Sequence, residues 1–357
     1  MKRIKLISLA VTLFFIGCTF AQDFHLSQYD VFSMYVNPAL TGNYLGEGGD
    51  YKFQLLHRNQ WRMLATNPFS TYALGYDRHM VIKGKDVGVG GYLINNRSGV
   101  ANLNTMNCQL SASYYITDPL HSPHLLNVGM QTGLFYKSFN PNNLLFESQY
   151  DYSTGTLNSG INSGEQFTRT GMVKFDANLG VFYKYRDRNN FYFPFAGLSV
   201  FHVNMPKENF TAEKRRLPMR FAFQAGSDFI VSDMLELTPM ILFMNQRKAT
   251  EWNIGVLGEL QLHEARSSQS FVIDKEKLYK NNGDKANDSI LFGLSYRVKD
   301  AVVVQAGARK NNLLLKLSYD INTSFLRTYS AGRGAFELSL VMVGFQGMKP
   351  FKTISQF

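Results

Sequence analysis

Beyond residue 50, apolar side chains fall on every second position through segments of about ten residues, and this period of two constrains the fold more than any other feature. In 103–116, Met106, Cys108, Leu110, Ala112 and Tyr114 alternate with Thr105, Asn107, Gln109, Ser111 and Ser113. In 174–186, Phe175, Ala177, Leu179, Val181, Tyr183 and Tyr185 are set against Lys174, Asp176, Asn178, Lys184 and Arg186. The same alternation runs through 221–231, 252–262 and 313–321. Successive side chains of a strand point to opposite faces, so each segment has one apolar and one polar face.

Fourteen such segments are legible, the first at 51–61 and the last at 336–345. An even number of strands of this length is what a bacterial outer-membrane barrel needs: each crosses the apolar band at a tilt, and closure removes the edges. A soluble β-sandwich also alternates. Strand length, an aromatic content of 14% and an export signal favour the membrane. After Ala21 no run approaches the roughly 18 consecutive apolar residues of a membrane helix. The expected fold is therefore all-β: an antiparallel barrel of about fourteen strands preceded by an N-terminal arm.

The start of the chain reads as a secretory leader. Lys2, Arg3 and Lys5 form a positive stretch, 6–16 an apolar one, and Thr19-Phe20-Ala21 a small-x-small cleavage site. Gly17-Cys18 suggests a lipidated cysteine instead, but Phe15 and Ile16 before it fit that pattern poorly. The organisation expected is a cleaved signal peptide at 1–21, a periplasmic or plugging arm at 22–50 and a barrel at 51–357. Cleavage removes Cys18 and leaves Cys108 alone, so no disulfide framework forms. It also lowers the formal charge of +10 by three, and the remaining basic residues are scattered. A nucleic-acid partner is not expected; outer-membrane lipid is.

The connections are unequal. Short polar ones suit hairpin turns, whereas 140–173, 204–219 and 263–287 are long. With the N-terminus in the periplasm, the first two long loops face outward and the third faces inward. Lys275, Glu276 and Lys277 in that third loop are candidate contacts for a periplasmic partner. Aromatics near strand ends, including Trp61, Tyr76, Tyr114, Tyr115, Phe139 and Tyr296, are candidates for the interfacial girdles.

No catalytic, metal or cofactor site is expected. His121-Ser-Pro-His124 has only Asp118 nearby as a further ligand, Gly88-Val-Gly90 lacks the third glycine of a dinucleotide loop, and no G-x-S-x-G is present. Strand packing is the better account of Gly88 and Gly90.

An ordered set of short motifs remains. It opens with Ser27-Gln28-Tyr29, Asn37-Pro38-Ala39, Gly42 and His57-Arg58-Asn59-Gln60-Trp61. It continues with Pro68-Phe69-Ser70-Thr71-Tyr72, Tyr76-Asp77, the run at 133–138 and that at 198–202. Leu217-Pro218-Met219-Arg220, Ser318-Tyr319-Asp320 and 335–340 complete it. Together these resemble the PorP/SprF family of type IX secretion system membrane proteins over nearly all of the mature chain. The resemblance implies an outer-membrane barrel of Bacteroidota-type bacteria, serving protein export, gliding motility or surface attachment. Its implied partners are periplasmic components of that system and a large secreted adhesin or its C-terminal domain. The end departs from the family pattern: Lys349-Pro350-Phe351 stands where a Cys-Pro pair is usual. Tyr29, Asn37, Pro38, Gly42, Arg58, Gln60 and Trp61 are the candidate partner-binding residues. A structural reading stands beside that one, with Pro38 and Gly42 shaping a turn and Arg58 paired inside the lumen. A porin or transporter for small solutes is the alternative function.

Overall fold

A computed structural model describes residues 23–43, 51–61, 67–118, 122–186, 191–208, 210, 215–232, 234–262, 288–325 and 327–344. Among these, fourteen antiparallel strands close into one barrel. They are β1 (Tyr51–Gln60), β2 (Phe69–Ile82), β3 (Lys85–Ser98), β4 (Leu103–Tyr115), β5 (His124–Ser138), β6 (Gly171–Tyr185) and β7 (Tyr192–Phe201). The second half is β8 (Arg220–Ser232), β9 (Leu235–Gln246), β10 (Ala249–Gln261), β11 (Ser289–Arg297), β12 (Ala301–Lys310), β13 (Leu313–Asn322) and β14 (Arg333–Gly344). Each strand pairs with its neighbour in sequence, and β1 closes on β14 from Tyr51 opposite Gly344 to Gln60 opposite Ala335. All fourteen coincide with segments of two-residue alternation.

The alternation is inside out relative to a soluble protein. Leu110 is 69% exposed while its neighbour Gln109 is 2% exposed. Leu134, Leu179, Leu198 and Leu294 are likewise on the outer face, and Asn127, Gln131, Asn178 and Ser318 are buried inside. A wall that is apolar outside and polar inside suits hydrocarbon around it, not water, which sets aside the soluble sandwich.

Both ends of the sheet chain, Tyr51 and Gly344, lie at one end of the barrel, called here the terminal end. Segments 139–170 and 202–219 leave from the opposite, loop end, whereas Gln261 and Ser289, which flank 263–287, lie at the terminal end. The two long loops pack together: Phe139 meets Phe167 and Phe210 at 5.0 and 4.8 Å, and Lys137 pairs with Glu208 at 2.5 Å. Phe139 therefore belongs to a loop cluster and not to a girdle. Tyr115 also departs from the expected girdle: it faces inward and is buried. Phe345, a girdle candidate at the end of the last alternating segment, and His121 lie outside the described residues. Tyr51 stacked on Tyr76 and Trp252 against Phe243 are outer-face aromatic pairs near the two ends.

Residues 23–43 lie inside the barrel, and the apolar core of the molecule is where this arm meets the wall. Leu26, Phe32, Met34 and Tyr35 pack on Leu56, Ala73, Tyr92 and Ile94. Val31 packs on Val341 and Val343, and Tyr29 and Val36 on Leu242. A barrel of fourteen strands is wider than an eight-stranded one, whose own side chains fill it, so added chain is needed to occupy the lumen.

Candidate functional site

The arm is too short and irregular to hold itself together. Among its described residues the regular pieces are one helical turn, Ser33–Val36, and a 3-10 turn, Pro38–Leu40. Its backbone polar groups must be satisfied by the wall, because a buried unpaired N–H or C=O costs as much as a lost hydrogen bond. The wall supplies partners along the whole path. Asp23 begins at the loop end, beside Gln246 and His202; Gly42 ends near the terminal end, level with Arg78.

The upper seat is a buried charge cluster on β1, β11, β13 and β14. Glu337 accepts from two consecutive arm amides, Ser27 N at 2.6 Å and Gln28 N at 2.9 Å. Arg58 donates to Glu337 Oε1 at 2.5 Å, to Asp320 Oδ2 at 3.1 Å and to Ser27 Oγ at 2.8 Å. Arg297 Nη2 donates to Asp320 Oδ2 at 2.7 Å, and Ser27 Oγ donates to the same carboxylate. Arg58, Arg297, Asp320 and Glu337 are each no more than 2% exposed. Arg297 Nε also donates to the partly exposed Asp300, so every buried charge of the cluster has a counter-charge, which is the condition for burying it. Lower down, Gln28 bonds Ser318 and Ser339, and Lys316 reaches Asp30 at 2.5 Å.

A second anchor holds the arm's start. His202, the first residue beyond β7, lies 2.8 Å from both Asp23 Oδ2 and Asp176 Oδ1. Arg220 lies against both the Tyr35 and the Phe201 rings, 4.3 and 4.1 Å from their centroids, and donates to Tyr35 O at 3.1 Å. Burial disfavours the His202 charge, but Asp23 and Asp176 outweigh it and hold its pKa near 9, above the ordinary 6.5. Burial likewise acts to raise Asp23, and His202 and Arg220 overcome it, keeping the carboxyl below 3.8. The histidine contribution to seating is thus complete below 6.5 and lost as pH rises through about 9, while the aspartate contribution is present above 3.8 and lost in stronger acid. Thermal unfolding in detergent should show the stability advantage of the natural protein over His202→Asn shrinking as pH is raised from 6.5 to beyond 9. An advantage constant across that range contradicts the assignment.

The lower half, 37–42, lies against glycines. A Cβ at Gly129 would overlap the Pro38–Ala39 backbone, one at Gly180 the Asn37 amide, and one at Gly88 the Thr41 carbonyl. These inward positions are bare so that the turn can lie flat on the sheet. The sequence reading of Gly88 as close strand packing missed that the close neighbour is the arm. Asn37 caps the turn through Ala39 N and donates to Val181 O at 3.0 Å. Gly42 has φ +66°, a region that suits glycine; its N–H donates to Asp77 at 2.7 Å and its carbonyl accepts from Tyr115 at 2.8 Å. Gly129→Val, a residue strands favour, should leave the barrel closed and lift the turn. Limited proteolysis is then expected to cut within 37–42, where the natural protein resists.

The family described as Type IX secretion system membrane protein PorP/SprF matches residues 18–342. The chain belongs to the PorP/SprF family. It is an outer-membrane component of the type IX secretion system, and its family and fold are those of a secretion or channel barrel, not of an enzyme class. No curated protein matches its sequence. Among solved structures, the toluene transporter TbuX of Ralstonia pickettii is similar at 10% identity, with a TM-score of 0.46, over 87% of this chain and 92% of that one. The Pseudomonas putida toluene transporter TodX is similar at 10% identity and a TM-score of 0.44, over 89% and 93%.

In this PorP/SprF barrel the motif residues, scattered through the sequence, converge on the arm. Ser27 and Gln28 meet Arg58, Ser318, Asp320, Glu337 and Ser339; Gly42 meets Asp77; Val36 O accepts from Ser199. Of the candidate partner-binding residues, Tyr29, Asn37, Pro38, Gly42, Arg58 and Gln60 all lie buried in the lumen or its wall. Trp61 stands apart, at the loop end of β1, its ring 4.8 Å from Phe69 and its backbone N–H donating to Gly334 O. Lys275, Glu276 and Lys277 fall outside the described residues. As site residues, sequence reasoning missed Asp77, Asp176, His202, Arg220, Arg297 and Glu337, although Asp77, His202, Arg220 and Glu337 stand within the motifs that carry the family resemblance. Asp77, Asp176, Arg220, Arg297 and Glu337 were marked by being charged residues at inward positions of alternating strands.

Proposed function

We propose that this barrel works by docking. It holds periplasmic components of the type IX system, the C-terminal domain of a large secreted adhesin, or both, for export and surface attachment, including in gliding motility of Bacteroidota-type cells. The leader at 1–21 directs its export and is cleaved from the mature protein. The observation that supports docking over conduction is the arm: it packs on and hydrogen-bonds to inward faces of the wall through the lumen, so the interior is occupied by the protein's own chain. Binding then falls to the loop end and the terminal end. Arg58, Gln60, Tyr29, Asn37, Pro38 and Gly42 serve the docking surface by fixing the arm, and Lys275, Glu276 and Lys277 contact a periplasmic partner directly. Trp61, at the rim, sets the level of the barrel in the membrane.

The test is the surface proteome of a strain lacking this protein. Loss of one or a few very large secreted proteins from the cell surface, with solute uptake unchanged, is the expected result. An unchanged surface with impaired uptake of a small solute overturns docking in favour of a transporter.

A further inference from the structure

Beyond the wall, the loop end carries an ordered structure of its own. Within the 139–170 connection, two short strands, Tyr150–Asp151 and Thr156–Leu157, pair into a hairpin. Gln149, buried at its base, fixes it. The Gln149 side chain accepts from Phe146 N at 2.9 Å and donates to Ile161 O at 2.8 Å, and its carbonyl accepts from Asn158 N at 2.9 Å. Asp151 shapes the turn by accepting from both the N–H and the hydroxyl of Ser153. Ser148 Oγ donates to Ser163 O at 2.6 Å, and the Phe146 ring lies 6.3 Å from that of Phe167 in the loop cluster. A hairpin tied at so many points holds its outward side chains in place before any partner arrives.

What the hairpin presents is apolar and aromatic. Tyr152 is 91% exposed, its ring 5.1 Å from that of Tyr150 and steeply inclined to it, and Leu145, Tyr150 and Leu157 are exposed as well. Serine, threonine, asparagine and glycine make up most of the chain around them, from 153 to 164. Apolar side chains rimmed by polar ones mark protein-interaction surfaces, and tyrosine among serine, glycine and asparagine is the make-up of protein-binding loops. The charge is one-sided too. From 139 to 168 the chain has Glu147, Asp151 and Glu165 and no basic residue, in a protein of formal charge +10. Glu147 and Glu165 are exposed, and the flanking Lys137 and Arg169 stand at the feet of the loop, in β5 and just before β6.

Resting on the docking reading above, we propose that this hairpin is the contact for a partner protein at the loop end, and that it takes the partner by an arginine- or lysine-bearing surface. The faces of Tyr150 and Tyr152 attract cations, and the carboxylates of Glu147 and Glu165 supply the counter-charge. Tyrosine and arginine are also the side chains that dominate binding energy where protein surfaces meet. The other occupants meet repulsion: the phosphates of the membrane surface repel an acidic loop, and so does the same loop of a second copy.

The test is photo-crosslinking of the full-length protein in intact cells. Thr154, in the exposed turn of the hairpin, is replaced by p-benzoylphenylalanine, and the adducts formed on irradiation are identified by mass spectrometry. The expected adduct is with one secreted protein, through a peptide that contains arginine or lysine. Tyr150→Ser with Tyr152→Ser should lower its yield by roughly tenfold or more, the scale of losing a central aromatic contact. Glu147→Gln with Glu165→Gln should lower it by less. A barrel that still shifts on heating in gel electrophoresis shows that each variant is folded. An adduct undiminished without the two tyrosines overturns the proposal and leaves docking to another surface. So do adducts formed only with lipopolysaccharide or a second copy, or no adduct from a protein that still co-purifies with periplasmic partners. A protein that forms no adduct and co-purifies with nothing removes the docking reading as well.

Discussion

Arg58→Ala is expected to unseat the arm and to cost about 3–5 kcal/mol of stability, the range for breaking a buried ion pair by removing one partner. The size follows from what the truncation leaves behind. Arg58 bridges two carboxylates, Asp320 and Glu337, and caps the Ser27 hydroxyl as well. Without it Asp320 keeps Arg297, but Glu337 keeps only the neutral amides of Ser27 and Gln28. A carboxylate with no exposed surface then lacks a counter-charge, and protonating it or admitting water both loosen its grip on the arm. Arg58→Lys should recover only part of the loss, since one ammonium cannot span both acids as a planar guanidinium does. Thermal unfolding in detergent measures the first effect, and proteolysis within 23–43 the second. A variant that melts like the natural protein with its arm protected contradicts the role given to Arg58.

Deleting residues 23–42 should turn a quiet barrel into a conducting one. With the arm seated, its side chains meet inward residues on β1, β2, β3, β9 and β14, and these inward residues are buried. Without the arm the fourteen-stranded wall resembles in width the barrels that enclose water, between eight strands, which fill themselves, and the 16–18 of open porins. Planar-bilayer recordings are expected to show discrete conductance steps for the deletion and none for the intact chain. Because the arm also stabilises the wall, a Gly129→Val barrel with its lower turn displaced provides a second measure, expected to conduct intermittently. Equal conductance in all three would show that the arm does not block the lumen.

The wall was legible in the sequence because the lipid environment forces a strict period of two, and each of the fourteen alternating segments became a strand. The arm's seat was far less legible. Inward-facing Ile94, Leu242, Val341 and Val343 break the polar face, producing consecutive apolar runs such as Leu340-Val341-Met342-Val343 that read as noise in the alternation. They mark where the lumen meets protein, not water. Tyr115 was misplaced for a related reason: two adjacent tyrosines at a strand end look like a girdle, yet one must point inward, and there its hydroxyl finds Gly42. Charge pairing across the lumen has no sequence spacing at all. Ser27 and Glu337 stand 310 residues apart, and the closure of β1 on β14 is what brings their neighbourhoods together. The candidate residues on the arm and on β1 came from motif resemblance; alternation alone carried no sign of them.

The claim that most needs a direct test is that this PorP/SprF barrel acts by holding other proteins. The measurement is mass spectrometry of what co-purifies with the tagged, full-length protein from detergent-solubilised outer membranes. Recovery of periplasmic type IX components, or of one large secreted protein, in stoichiometric amount is the predicted result. A barrel that emerges without partners and conducts ions in a planar bilayer would contradict it.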